Sequence, residues 1–269
     1  MRKPNKFSFH KIRVFGLSAV FILLSCGSCQ NSTSKSKSPE VSPSQSPNEG
    51  FVSLFDGKTL EGWEGDPVYW SVVDGTIVGE ITPETLLKTN TFIIWKGGEP
   101  ADFELKVDYK ISDAGNSGFN YRSDRVEEVP FALKGYQADI DGQNRYTGQN
   151  YEERKRTTLA YRGQKTRITS QESGDVKGFV ERNAWKGLNL ESELGDRDTL
   201  GALIKKDDWN TLHVVIKGNV LQHFVNGTLM SEVTDDDPKN RKMSGLMGFQ
   251  VHVGPPMKVQ FKNILMKKL

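Results

Sequence analysis

Only two cysteines occur in the 269 residues, Cys26 and Cys29. They lie three positions apart in one N-terminal tail, so neither can staple a distant core. The rest of the chain has no thiol, which excludes thiolate catalysis there. There is no His-x-x-x-His pair, so spacing alone declares no metal site. A Gly-x-Ser-x-Gly elbow and a phosphate loop are also missing. The formal charge is only +2 and no long basic run occurs, which argues against nucleic acid as a partner. No long stretch shows a convincing helical period.

What is present begins with a leader. Arg2, Lys3, Lys6, Lys11 and Arg13 precede an apolar run over 14–24, too short for a permanent membrane helix. The pattern reads as a signal peptide over 1–25. It ends Leu23-Leu24-Ser25-Cys26, which resembles a bacterial lipobox and would make Cys26 a lipidated first residue; ordinary cleavage is the alternative. Residues 26–50 are Ser, Pro, Lys, Asn and Gln with almost nothing apolar, a composition that stays a flexible tether. The expectation is a globular domain over 51–269, held to the bacterial cell envelope by a lipid anchor, periplasmic or at the outer membrane.

That domain reads as all-β. Short strands bounded by Gly, Asn and Asp recur, as in two packed antiparallel sheets. The stretch 103–111 alternates apolar and charged residues throughout, giving one core face and one wet face. Hairpins are expected at Asp74-Gly75, Gly218-Asn219 and Asn226-Gly227. The region from Thr157 to about Leu203 has no clear pattern.

The most informative stretch runs from Lys134 to Arg154. Its first half places Tyr136, Ala138 and Ile140 on one strand face and Gln137, Asp139 and Asp141 on the other. Two close carboxylates raise each other's pKa unless a cation or metal compensates. A loop dense in Tyr, Asn, Gln and Glu follows, the equipment of a sugar pocket. Asn120 and Arg122 share a face of the preceding strand, and Gln250 and His252 share a face of a strand near the C-terminus. Each candidate has an ordinary reading too. Asp141 beside Gly142 could be a turn former, and Arg122 could simply pair with Asp139. Glu152 and Glu153, next to Arg154, Lys155 and Arg156, could be a solvated loop, and His252 a hydrogen-bonded surface residue. His213 and His223 read as structural.

Leu54-Phe55-Asp56-Gly57-Lys58-Thr59-Leu60-Glu61-Gly62-Trp63 resembles the opening of the bacterial 3-keto-disaccharide hydrolase family. So do Asn116-Ser117-Gly118 with Arg122, Gly135 to Ile140, Trp209-Asn210, Asn226-Gly227, Gly248 to His252 and Phe261 to Ile264. The resemblance implies a concanavalin-like jelly roll with its ligand groove on one sheet. It also implies action on glycosides oxidised to a ketone at C3, in which removal of the acidified C2 proton expels the C1 substituent and water then adds. Such a route needs a base, an acid and something to hold the enolate oxygen. The expected reactive cluster is Asp139, Glu153 and His252. Asn120, Arg122, Gln137, Tyr151 and Gln250 are expected to bind the sugar, with the loop carrying Tyr151 and Glu153 closing the groove's edge. A divalent metal held by Asp139, Asp141 and His252 is a further expectation. The alternative is a non-catalytic carbohydrate-binding module of the same fold.

Overall fold

A computed structural model of the protein describes residues 49–171 and 181–269. The signal peptide expected over 1–25, Cys26 and nearly all of the expected tether lie outside the described residues.

Two sheets stack face to face. The larger has ten strands. In spatial order these are β12 (Leu188–Glu193), β11 (Gln164–Ile168), β15 (Thr228–Asp235), β14 (Val220–Val225), β13 (Asn210–Lys217), β6 (Phe103–Ile111), β17 (Met257–Lys268), β4 (Thr76–Ile81) and β3 (Trp70–Val73), with β1 (Val52–Ser53) added on β17. The smaller has seven, ordered β10 (Thr157–Ala160), β9 (Asn150–Glu153), β8 (Leu133–Asp141), β7 (Asn116–Arg125), β16 (Leu246–Val251), β5 (Thr91–Trp95) and β2 (Trp63–Glu64). This is the jelly-roll sandwich expected. One pairing departs from the antiparallel rule: β11 runs parallel to β15. The chain leaves the seven-stranded sheet at Ala160 and enters the ten-stranded one at Gln164, so the unpatterned region carries β10, β11, β12 and a short helix, α1 (Arg197–Gly201).

The alternation of β6 is realised in full, with Phe103, Leu105, Val107, Tyr109 and Ile111 buried between the sheets and the charged residues outward. Aromatic rings join the layers. Phe249 of β16 stacks on Phe261 of β17 with centroids 4.2 Å apart, and the Tyr121 hydroxyl of β7 meets His223 Nε2 of β14 at 2.8 Å. Burial lowers the His223 pKa to about 4, so this imidazole is a neutral core residue, as expected of it.

Periodicity fails at Arg122. The β7–β8 register shifts between Tyr121 and Asp124, and Arg122 has φ +45°. Such a bulge re-aims the bulged side chain. The guanidinium therefore leaves the face of Asn120 and bonds Ala101 O at 2.8 and 3.0 Å, Gly218 O at 2.7 Å, Lys242 O at 3.2 Å and Asp102 Oδ1 at 3.0 Å. Arg122 ties loops of both sheets together; it neither pairs with Asp139 nor reaches a sugar groove. Arg122→Ala should lower the urea-unfolding midpoint markedly, since each buried acceptor left unpaired costs about 1–3 kcal/mol. An unchanged midpoint would show that these carbonyls do not depend on it.

Candidate active site

The expected polar stretch does build a site. Gln137 and Asp139 project from the outer face of β8, and Tyr151 and Glu153 from the same side of β9, which pairs Gln137 with Tyr151 and Gly135 with Glu153. Together with Asn116, Tyr146, Gln149, Asn183 and His252 they line a cavity of about 260 Å³. Residues 150–153 are a sheet strand rather than the closing loop expected, because they add to the exposed edge of β8. His252 sits one residue beyond β16. Its Nδ1 lies 2.7 Å from Val253 O, so the ring is oriented by its own backbone neighbour.

Asp139 is buried, and each of its oxygens accepts a hydrogen bond from an amide at 2.5 Å, Oδ1 from Gln137 Nε2 and Oδ2 from Gln149 Nε2. Gln250 Nε2 in turn donates to Gln137 Oε1 at 3.2 Å, so the row Gln250–Gln137–Asp139 runs across the sheet floor. Gly118 of β7 makes this possible: a Cβ there would stand 2.6 Å from the Gln137 side chain. Burial pushes the Asp139 pKa up to about 8, with the Glu153 charge adding to it, against the two amide bonds that pull it down. At neutral pH the group is therefore a carboxylic acid. Gln149 Oε1 is buried without a protein partner, and a half-turn of that amide would let it accept the Asp139 proton.

Glu153 is also raised by burial, but its neighbours favour the ionised form. Asn90 Nδ2 donates to its Oε1 at 3.1 Å, and Arg154 Nε lies 3.7 Å away. Asn90 is itself fixed by accepting from Val253 N at 2.9 Å, and Arg154 Nη2 reaches Thr89 Oγ1 at 2.6 Å. The segment 82–90 is thereby clasped to the end of β9. Both carboxyl groups are raised by burial, but only Glu153 has cationic as well as amide neighbours that draw it back towards the ionised form. Two carboxyls so differently surrounded in one cavity are the raw material of an acid–base pair. Neither is a solvated loop residue. Glu152, alternating to the inner face, is buried as well, and pairs with Arg156 at 2.5 Å in a cluster with Asp235 and Asp237.

Asp141 has a different job from the one expected. Its carboxylate accepts from Arg145 N at 3.0 Å, Tyr146 N at 2.8 Å, Thr147 N at 2.9 Å and Thr147 Oγ1 at 3.1 Å. With its oxygens engaged in shaping the turn, it is the turn former of the alternative reading and not a ligand beside Asp139 and His252. Among the described residues no three His, Cys, Asp or Glu side chains group as a metal site, so the expected metal triad does not fit this arrangement. Of the expected sugar contacts, Gln137 and Tyr151 line the cavity, Gln250 lies behind Gln137, and Asn120 is fully buried outside the lining with neither amide atom partnered by protein. Asn116, Tyr146, Gln149 and Asn183 were not among the expected residues, and neither was Asn90. The amide- and Tyr-rich composition of 144–151 was the one signal for two of them.

Raised from 3.8 in the unfolded chain to about 8 in the folded one, Asp139 holds its proton in the native state while the unfolded chain has lost it. Stability therefore falls as pH rises through that window and levels off above it. Asp139→Asn should remove this fall, leaving a variant at least as stable as the parent at pH 8; urea unfolding at both ends of the window measures it. A steeper loss in the variant would contradict the buried, protonated state.

With the geometry in place, comparison with known proteins is informative. A 3-keto-disaccharide hydrolase of Bacteroides thetaiotaomicron is 32% identical over 97 residues, a match covering 29% of each chain. The chain thus matches less than a third of that relative's length. Two crystal structures from Parabacteroides distasonis, provisionally named glycosyl hydrolases, share the fold at a TM-score of 0.51. One is 21% identical, over 82% of this chain and 94% of its own; the other is 18% identical, over 81% and 99%. Residues 50–267 match the 3-keto-alpha-glucoside-1,2-lyase-like domain, and the chain belongs to that family.

Proposed function

We propose that the protein cleaves glycosides carrying a ketone at C3 of the sugar, by proton abstraction at C2, elimination of the C1 substituent and addition of water. The observation that carries this reading is a sugar-sized polar cavity lined by two buried carboxyl groups, Asp139 with its pKa pushed up to about 8 and Glu153 raised by burial against neighbours that favour its ionised form. Family membership and the partial relative support the substrate class.

The ketone makes the C2 proton acidic, and Glu153 is placed to take it as general base. Negative charge then develops on the C3 oxygen. Among the described residues no arginine or lysine lines the cavity; the donors they offer to that oxygen are the amides of Asn116, Gln149 and Asn183 and the hydroxyls of Tyr146 and Tyr151. Neutral donors fixed in place can stabilise an enolate without a full cation. Collapse of the enolate breaks the C1–O bond, and the Asp139 carboxylic acid gives its proton to the departing oxygen. Water then adds at C1, the proton taken by Glu153 returns to C2, and the water's own proton restores Asp139. The balance is hydrolysis. His252 lines the same cavity and is a further candidate to carry a proton. The leader and Cys26 support a place for this chemistry at the cell envelope, with the domain tethered through a lipid.

Incubation with a 3-keto-disaccharide and with its unoxidised parent tests the reading. Product is expected from the oxidised sugar alone, with a primary isotope effect when C2 carries deuterium. Binding of both without product would instead favour a carbohydrate-binding module. Glu153→Gln should lower kcat by about a hundredfold or more, the usual scale of general-base catalysis. Because the acid must be protonated, the rate should decline above the Asp139 pKa of about 8, and Asp139→Asn should abolish that limb of the pH–rate profile along with most of the turnover.

A further inference from the structure

A second cavity adjoins the first, and nothing described so far uses it. Its volume is also about 260 Å³, and it is lined by Asp113, Asn116, Gln143, Arg145, Tyr146 and Pro255, among others. Asn116 and Tyr146 line both cavities and form the seam between them. Each volume falls just below the roughly 300 Å³ at which pockets for drug-sized ligands begin, a scale suited to one sugar ring rather than two. We propose that this second cavity is the subsite for the leaving sugar of a disaccharide, with Tyr146 as the wall shared by the two rings.

The loop that builds it is held rigidly. Asp141 fixes the backbone of Arg145, Tyr146 and Thr147 through the amide bonds already described. Arg162 Nη1 donates to Asn144 O at 2.9 Å and Thr147 O at 2.8 Å, and Arg197 of α1 donates to Arg145 O at 2.6 Å. Asn144 Nδ2 reaches Ile204 O at 3.3 Å. Side chains from two other segments thus converge on carbonyls of a single short loop and the loop's own Asn144 ties it to a third, while the side chains it presents outward stay free for a ligand. Gln143, Arg145 and Tyr146 are exposed, Tyr146 by 38%. A surface loop with no ligand to meet would not need such pinning, whereas a preorganised subsite loses less freedom when it binds.

The chemistry of the lining selects the occupant. Tyr146 offers an apolar ring face for the C–H side of a pyranose, with a hydroxyl at its edge. Arg145 and Gln143 offer donors, and Gln143 and Asp113 acceptors, so the set suits a neutral polyol. Direction follows from the carboxyl groups. The oxidised ring must lie in the first cavity, where Glu153 and Asp139 are, so the glycosidic bond crosses the seam at Asn116 and Tyr146. The placement rests on the reaction proposed above.

The test compares a 3-keto-disaccharide with the corresponding methyl 3-keto-glycoside, whose leaving group cannot fill the second cavity. In Arg145→Ala and Gln143→Ala, the ratio of kcat/KM for the disaccharide to that for the methyl glycoside should fall about tenfold each, the scale of one lost hydrogen bond. The methyl glycoside also reports whether the variants are folded. An unchanged ratio in both variants overturns the subsite while leaving the proposed reaction standing. A parent protein that cleaves neither substrate overturns both.

Discussion

The site depends on the burial of Asp139. Among the described residues this carboxyl forms no ion pair, and water is largely withheld from it. Its charged form is therefore expensive, and the neighbouring Glu153 makes it more so. What holds it are two amides in opposed positions, Gln137 and Gln149, and Gln137 is in turn held by Gln250. The arrangement needs three adjacent strands at fixed register and a glycine at Gly118 to leave room for Gln137. A sandwich supplies this because the inner face of the same strands is locked by Tyr121, Tyr136, Phe119 and Phe249, so that slip of one residue would exchange core for site.

Glu153 shows how the same sheet treats a second carboxyl differently. The segment 82–90 brings Asn90 onto it from a connection that belongs to neither β8 nor β9, and Arg154 clamps that connection in place. The difference between the two carboxyls thus comes from what reaches each from outside its own strand. The same principle governs Asp141, two residues from Asp139 and nominally on its face. Because the chain turns immediately after it, backbone amides consume its oxygens, and it serves the loop that separates the two cavities.

Strand existence, the core faces of β6, β8 and β13, and the union of Gln137, Asp139 and His252 in one place were legible from period-two alternation and from the motifs of the family, whereas Tyr151 and Glu153 were placed there as a loop and proved to be a strand. These are properties of short runs, and side-chain direction in a regular strand follows directly from residue parity. Arg122 escaped that logic because a bulge with a left-handed residue breaks parity, and nothing in Tyr-Arg-Ser announces it. The parallel docking of β11, the burial of Glu152 against Arg156, the clasp of Asn90 on Glu153 and the seam at Asn116 and Tyr146 join residues between 4 and 67 positions apart. Local patterning determined which side chains could face the cavity. Only the packing of loops over the finished sheet decided how strongly each cavity carboxyl is pushed towards its acid form and which carboxyl merely builds a wall, since burial and long-range partners set those energies and neither is a property of any single stretch of chain.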